Sequence, residues 1–489
     1  TGKRTETVMN MRPSPLSRRL RQGTHPSQVS FHTPGHKSGS LCPSISPRWD
    51  TTEIHGTDHL HNPREILKEA EERAVAFYGS DQSYYLVNGS TCGIYAMILA
   101  ATKPGDEIII NRNAHQSVYN ACSLGALTPR YILPPLEPWL NLPLCVELEG
   151  VRQALDQWPK ARAVVLTRPT YHGYVSDLKA IAALVKASGK LLLVDEAHGA
   201  HLRLSSDLPE DAMACGAHAS VQSTHKTLTA FTQASLLHVK GQALDRDRLR
   251  RMLRLFQSSS PSYLLMASLD EAVNLAATEG SARMGQLLEN MNELRRQLEQ
   301  IPGVLYSGVR LQKEGPALLD LTRLWVDMRG LNIGGYELDK RLREEWHLTM
   351  ELSDQQGVLA LATIGNTDKD LEKLGEALTQ LAHKAIPVKS ETRKTTESLL
   401  SCNTMESLPP VGIPLYEALQ LPQRRVPLAQ AAGGVVAESI IPYPPGIPWL
   451  VAGEILELPM IEKLRQLSEA GAEILGMDSK NQINLVVNP

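Results

Sequence analysis

Between residues 83 and 198 short, continuous apolar runs alternate with helix-like stretches. "SYYLV", "DEIIINR", "ARAVVLTRPT" and "KLLLVDEAH" have the length and continuous apolar character of strands, and "NGSTCGIYAMILAAT", "HQSVYNACSLG" and "DLKAIAALVKASG" read as helices. A strand that is apolar on both faces must be covered on both, which a parallel sheet flanked by helices provides. The pattern predicts a large α/β domain over residues 60–275, opened by the helix "NPREILKEAEERAVAFYG" that stops at Gly79.

The flanking segments differ in kind. Residues 276–385 mix charged amphipathic helices with short strands and predict a smaller α+β domain. Residues 386–411 are polar and linker-like, and 412–489 form a C-terminal domain whose "VVAESIIPYPPGIPWLVAGE" holds too many prolines for a central strand pair. Residues 1–59 form an N-terminal arm and segment; its arginine-rich start lacks an apolar signal core, so a surface arm is expected and a transit remnant is the minor alternative.

Composition excludes several classes. Lys+Arg 50 against Asp+Glu 53 offers neither a nucleic-acid nor an anionic-membrane binder its basic excess. No apolar run reaches the roughly 18 to 20 residues of a membrane span. Six scattered cysteines without CxxC spacing suggest no zinc site and fit a reducing, cytoplasmic setting.

Chemistry concentrates at strand ends. Asp195 closes the run "LLLVD", where open α/β sheets bind ligands, although a cap or turn residue accounts for it equally well in isolation. "DEAH" also occurs in nucleotide-driven helicases, but the chain has no GxxxxGK[ST]. Lys226 in "STHKTL" follows after room for one helix and one strand, so a carboxylate and an amine can occupy neighbouring strand ends. Pyridoxal 5'-phosphate uses such a pair, the lysine for its aldehyde and the acid for its ring nitrogen. A surface loop lysine is the alternative. Ser90 and Thr91 in "NGSTCG" start a helix, as an anion site or an ordinary cap. Ser223, Thr224 and His225 precede the lysine, and His115 in "NRNAHQS" can stack on a flat ring or serve the fold.

Eight motifs in order, "FHTPGHKSG", "NGST", "NRNAHQS", "PTYHG", "VDEAHGAH", "STHKTL", "SSSPSYLLMASLD" and "YPPGIP", resemble the ornithine/lysine/arginine decarboxylases. The resemblance runs from about residue 30 to the C-terminus and implies the aspartate-aminotransferase fold. This is the fold type I of pyridoxal-phosphate enzymes, with a mostly parallel seven-stranded sheet and smaller α+β domains. It further implies Lys226 as the Schiff-base lysine, Asp195 as the ring-nitrogen partner and His115 as the stacking residue. Ser90, Thr91, Ser223 and His225 would surround the phosphate, with His198 beside Asp195 near the ring. The implied reaction is decarboxylation of arginine, lysine or ornithine to an amine, as in polyamine biosynthesis, with Lys226 or His225 protonating the product carbon.

Gripping a long basic side chain requires an acid, for which Glu438, Asp58 and Glu53 are candidates; His36 in "TPGHK" joins the expected substrate pocket. The chain ahead of "FHTPGHK" is too short for the N-terminal domain of the large inducible members. A homodimer with active sites at its interface is therefore expected rather than a decamer. A local departure is "GTDHLH" where relatives resemble "GLDDLH", which puts His59 in place of an acid. Two rivals stand beside this reading: an aminotransferase or other lyase on the same fold, and a non-catalytic relative that binds the cofactor.

Overall fold

The computed structural model describes residues 29–31, 58–137, 140, 142–308, 319–385, 407–443, 446–469 and 471–487. In chain order the first elements are β1 (Val29–Phe31), α1 (Ile66–Tyr78), β2 (Gln82–Leu86), α2 (Gly89–Ala101), β3 (Glu107–Asn111), α3 (Gln116–Leu124) and β4 (Thr128–Ile132). Then follow α4 (Leu148–Gln157), β5 (Ala163–Thr167), α5 (Leu178–Ala187), β6 (Leu191–Asp195), β7 (Ala219–Gln222), α6 (Thr224–Thr227), β8 (Ser235–Val239), α7 (Arg246–Phe256) and α8 (Tyr263–Thr278). Strands β2 to β8 form one seven-stranded sheet in the order β2-β8-β7-β6-β5-β3-β4. All neighbours in it are parallel except those of β8, which runs antiparallel to β2 and β7.

Both faces of this sheet are dry, as the apolar runs require. Ile108, Ile110, Val165, Leu193 and Val221 join the core beneath α2, α3 and α7, while Ile109, Val164, Leu192 and Val194 join the core beneath α4 and α5. Side chains alternate along each strand, so consecutive isoleucines serve opposite cores. Gly93 lets α2 lie flat on the sheet: a Cβ there would come 2.5 Å from Leu86 Cδ1 and 3.1 Å from Val221 Cγ1.

The smaller unit comprises α9 (Gly280–Glu299), β9 (Leu305–Tyr306), β10 (Arg323–Asp327), α10 (Gly335–Trp346), β11 (Leu348–Met350), β12 (Leu352–Ser353), β13 (Val358–Leu361) and α11 (Asp368–Lys384). Its antiparallel sheet has the order β12-β13-β10-β9, and β1 from the N-terminal segment pairs in parallel with β11. Residue 275, the expected edge of the large domain, lies inside α8. The expected linker falls largely outside the described residues.

The C-terminal part contains α12 (Leu415–Ala418), β14 (Gln423–Pro427), β15 (Ile441–Tyr443), α13 (Leu458–Glu469), β16 (Glu473–Leu475) and β17 (Gln482–Val486). Its strands form two-stranded antiparallel pairs, β14 with β17 and β15 with β16, so Pro442 sits in a strand without occupying a central position. This part has a core of its own, yet Leu415, Val435, Ala437 and Val451 belong to the same cluster as Ile94, Ile110 and Val118 of the large domain. Arg112, just beyond β3, ties the two together. It donates to Pro448 O (2.7 Å), Trp449 O (3.1 Å) and Glu454 Oε2 (3.0 Å), with both charged side chains buried. Among the described residues no helix is long and apolar enough to cross a membrane.

Removing one partner of a buried ion pair strands the other. Burial already pushes the Glu454 carboxyl up, with Arg112 opposing. Arg112→Ala should cost about 3 to 5 kcal/mol of stability near neutral pH. The loss should be smaller at pH 5 than at pH 8, because a carboxyl favouring its protonated form in the fold loses stability as pH rises. Urea unfolding at the two pH values measures both effects.

Candidate functional site

A cavity of about 410 Å³ opens at the carboxyl ends of the parallel strands. The ladder pairs Thr167 of β5 with Asp195 of β6, and Asp195 with Val221 of β7. Lys226 follows five residues beyond Val221, in the single turn α6, and its side chain therefore enters the same cavity as Asp195. This is the arrangement expected of the two residues.

Asp195 is buried and accepts a hydrogen bond from Ala197 N at 3.1 Å. Burial pushes its carboxyl up, while that bond and the Lys226 amine pull it back. Burial pushes the Lys226 amine down, against the attraction of Asp195 and Glu351. The lysine Nζ lies 2.9 Å from His198 Nε2, and His198 Nδ1 lies 3.0 Å from an Arg323 guanidinium nitrogen. Burial, with Lys226 and Arg323 adding, holds His198 well below the ordinary histidine range.

His115 lines the cavity as the N-cap of α3, its Nδ1 accepting from Ser117 N at 3.2 Å. Burial pushes it down to about 4, so it is a neutral flat ring at physiological pH. The loop after β15 lies against it: Gly446, at φ +84°, would bring a Cβ within 3.3 Å of His115 Nε2, and its carbonyl accepts from Gln116 N at 3.1 Å. A glycine satisfies both the backbone angle and the close approach. Tyr443, the last residue of β15, and Ile447 of this loop line the cavity.

Ser90 also lines it, in the first turn of α2, where Asn88 provides no side-chain cap and instead accepts from Ser258 N. Thr91 is the next residue of that turn. Ser223 and Thr224 are buried, and their hydroxyl oxygens have no hydrogen-bond partner among the described residues. His225 Nδ1 lies 2.9 Å from Ala234 O and burial lowers the ring to about 4; like Thr91, Ser223 and Thr224, it is not a lining residue of the cavity.

Two expected substrate residues do not face this chain's cavity. Asp58 accepts from the backbone N–H groups of His59, Arg64, Glu65 and Leu67, fastening the start of α1. Burial would raise its carboxyl, but these bonds outweigh it and leave the group below its ordinary value. Glu438 accepts from Asn484 Nδ2 at 2.7 Å within the C-terminal part. His36 and Glu53 lie outside the described residues, and His59 is exposed, with its Nδ1 accepting from His61 N.

In their place the structure brings Glu351, just after β11, into the cavity with Tyr171 from the "PTYHG" turn. Tyr171 Oη donates to Glu351 Oε1 at 2.5 Å. Sequence reasoning missed Glu351 because "LTMEL" carries no motif; its only local signal is an acid at a strand's end. Arg323, the fully buried first residue of β10, was missed for the same reason.

The Orn/Lys/Arg decarboxylase major-domain model matches residues 14–347, and the C-terminal-domain model of the same family matches residues 416–482. The chain belongs to the Orn/Lys/Arg decarboxylase family. It is 32% identical over 480 residues to the arginine decarboxylase of Bacillus subtilis (strain 168), covering 96% of each chain. The decarboxylase shares its fold with the Francisella novicida lysine decarboxylase LdcF, at a TM-score of 0.75, 19% identity and coverage of 88% of this chain and 73% of the other. It also shares it with alanine–glyoxylate aminotransferase from Nostoc sp., at a TM-score of 0.57, 19% identity and coverage of 78% and 100%. The decarboxylase thus has the type I fold of pyridoxal-phosphate enzymes.

The residues present fit that cofactor. The decarboxylase sets an amine and a carboxyl in one cavity, the two groups that an aldehyde and a ring nitrogen would need. Buried hydroxyls at Ser223 and Thr224 that have no partner among the described residues, and the start of α2, which Asn88 does not cap with its side chain, suit a phosphate. Lys226→Ala should abolish the visible absorption band that forms when pyridoxal phosphate is added, together with turnover. A band of wild-type intensity in that variant removes Lys226 from the site.

Proposed function

We propose that the decarboxylase releases carbon dioxide from the α-carbon of arginine, lysine or ornithine, with pyridoxal 5'-phosphate bound between Asp195 and Lys226. The observation that carries this reading is the shared cavity of those two groups, with Glu351 as a further acid inside it. When bound, the cofactor supplies an aldehyde for amine exchange and a pyridine ring that takes up the electron pair left by departing carbon dioxide.

The chain's own residues do the rest. Lys226 Nζ would be the anchoring amine and a group able to hold a proton for the product carbon. Asp195 would hold the ring nitrogen's proton, and in its buried setting that interaction would be worth more than in water. His115 offers a neutral face for stacking, and Ser90, Thr91 and Ser223 offer hydroxyls to the phosphate. Glu351, oriented by Tyr171, offers its carboxylate to the substrate's distal cation and so turns the α-carboxylate relative to the ring. Asp58 and Glu438 have no place in this grip within one chain. The reading also holds that the enzyme is a cytoplasmic homodimer whose second subunit completes the pocket.

The aminotransferase alternative needs an arginine for the α-carboxylate. Arg425 instead meets Asp478 at 3.1 Å on the surface, and Arg323 points at His198 and Tyr171 O beneath the cavity. A side-by-side assay of arginine, lysine and ornithine for carbon dioxide, amine and keto-acid tests the reading. Amine with stoichiometric carbon dioxide is expected; keto-acid as the main product overturns it.

Glu351→Gln should raise KM for the preferred basic amino acid roughly 10- to 100-fold, the cost of a charge-assisted hydrogen bond of about 1.5 to 3 kcal/mol. The cofactor absorption band should be unchanged. An unaltered KM assigns the grip elsewhere.

A further inference from the structure

We propose that Arg323 is a positioning residue for the reactive lysine: by donating to His198 Nδ1 it fixes the ring as the Nε2–H tautomer, which presents Lys226 with a donor and so holds its amine neutral. The proposal rests on Lys226 being the reactive amine and on no other part of the functional reading.

Donors and acceptors decide the tautomer. A guanidinium has five N–H donors and no acceptor, so a nitrogen 3.0 Å from Arg323 must accept. His198 Nδ1 therefore carries no hydrogen. A doubly protonated ring is excluded, since it would face Arg323 with a donor and a like charge. The neutral ring's hydrogen is then on Nε2, 2.9 Å from Lys226 Nζ. An ammonium also has only donors, and two donors do not form a hydrogen bond. Only the neutral amine has the lone pair this contact requires.

The surroundings hold Arg323 to this task. Its side chain is fully buried, with Nε 3.4 Å from Asp320 Oδ2 and terminal nitrogens 3.3 Å from Tyr171 O and 3.3 Å from His198 O. Asp320 is itself fixed by His201 at 3.0 Å and by the Thr322 hydroxyl at 2.7 Å. The Tyr171 ring stands edge-on to His198 with centroids 4.7 Å apart, which leaves the imidazole little room to turn over.

Other titratable groups compete for the state of the lysine. Asp195 and Glu351 favour the ammonium, while burial and Arg323 oppose it. The neighbouring His115 and the adjacent His225 are both neutral near pH 7. With carboxylates on two sides, a fixed donor at His198 Nε2 tips the balance toward an amine able to attack. Without Arg323, the imidazole can move its hydrogen to Nδ1 and accept from the ammonium through Nε2.

Two measurements on the full chain, freed of pyridoxal phosphate with hydroxylamine, test this without reference to turnover. In protein labelled with ¹⁵N-histidine, with His198 assigned by comparison with His198→Phe, Nδ1 should show the shift of an unprotonated nitrogen and Nε2 that of a protonated one across neutral pH. The reverse assignment, or a doubly protonated ring, overturns the proposal even if no variant folds. The pH dependence of Lys226 acetylation by acetic anhydride, read by peptide mass spectrometry, gives the midpoint at which the amine becomes neutral. Arg323→Met should raise that midpoint by about one pH unit, a tenfold fall in neutral amine at a fixed lower pH. Arg323→Lys, which keeps a donor-only cation, should restore it toward wild type. The Arg323→Met shift should be markedly smaller in the His198→Phe background, where only the direct repulsion between the two cations remains. A midpoint unmoved by Arg323→Met, or moved equally with and without His198, overturns the relay and leaves the decarboxylase reading intact.

Discussion

The register of three adjacent parallel strands is the constraint on which the site depends. Thr167, Asp195 and Val221 stand side by side across β5, β6 and β7, so whatever follows each of them in sequence emerges at the same sheet edge. Slipping β6 by one residue would turn Asp195 into the opposite core and Leu192 toward the first. The apolar faces therefore fix the chemistry: Ile108, Val165 and Leu193 cannot exchange sides with Ile109, Val164 and Leu192 without opening both cores.

On that frame the protein accumulates buried charge. Asp195, Lys226, Glu351, Arg323 and Asp320 converge beneath or within a single cavity, and each unpaired charge would be costly. The structure resolves this by chaining them. Asp320 compensates Arg323, and Arg323 directs His198, which meets the lysine. A carboxylate facing a lysine would by itself form an ion pair, inert as a nucleophile. The imidazole between lysine and arginine separates charge neutralisation from proton occupancy.

Much of this was legible in the sequence because it is local. The alternation of apolar runs disclosed the parallel sheet, and residues at the carboxyl end of a strand, such as Asp195, announce themselves by position. Ser90 and His115 were legible for the same reason, each opening a helix straight after a strand. Glu351 and Arg323 were not, because their importance arises only when the smaller unit folds back over the large sheet, and a strand's first residue looks like any other. Asp58 and Glu438 show the converse. An acid in a loop is visible in sequence, but whether backbone amides or an asparagine have already engaged it is not. The N-terminal segment was expected as an arm, yet Val29–Phe31 adds a parallel strand beside β11, a pairing that no local pattern encodes.

The anchoring of the C-terminal part by Arg112 has an evolutionary corollary. Because one guanidinium holds Pro448, Trp449 and Glu454 while Val435 and Val451 complete a core begun by β3 and α2, this part is not a cassette that can be traded between relatives. A transplanted tail would need its own acid opposite position 112 and side chains matched to an existing apolar surface. Divergence in the roof over the cavity is thereby tethered to divergence in the sheet below.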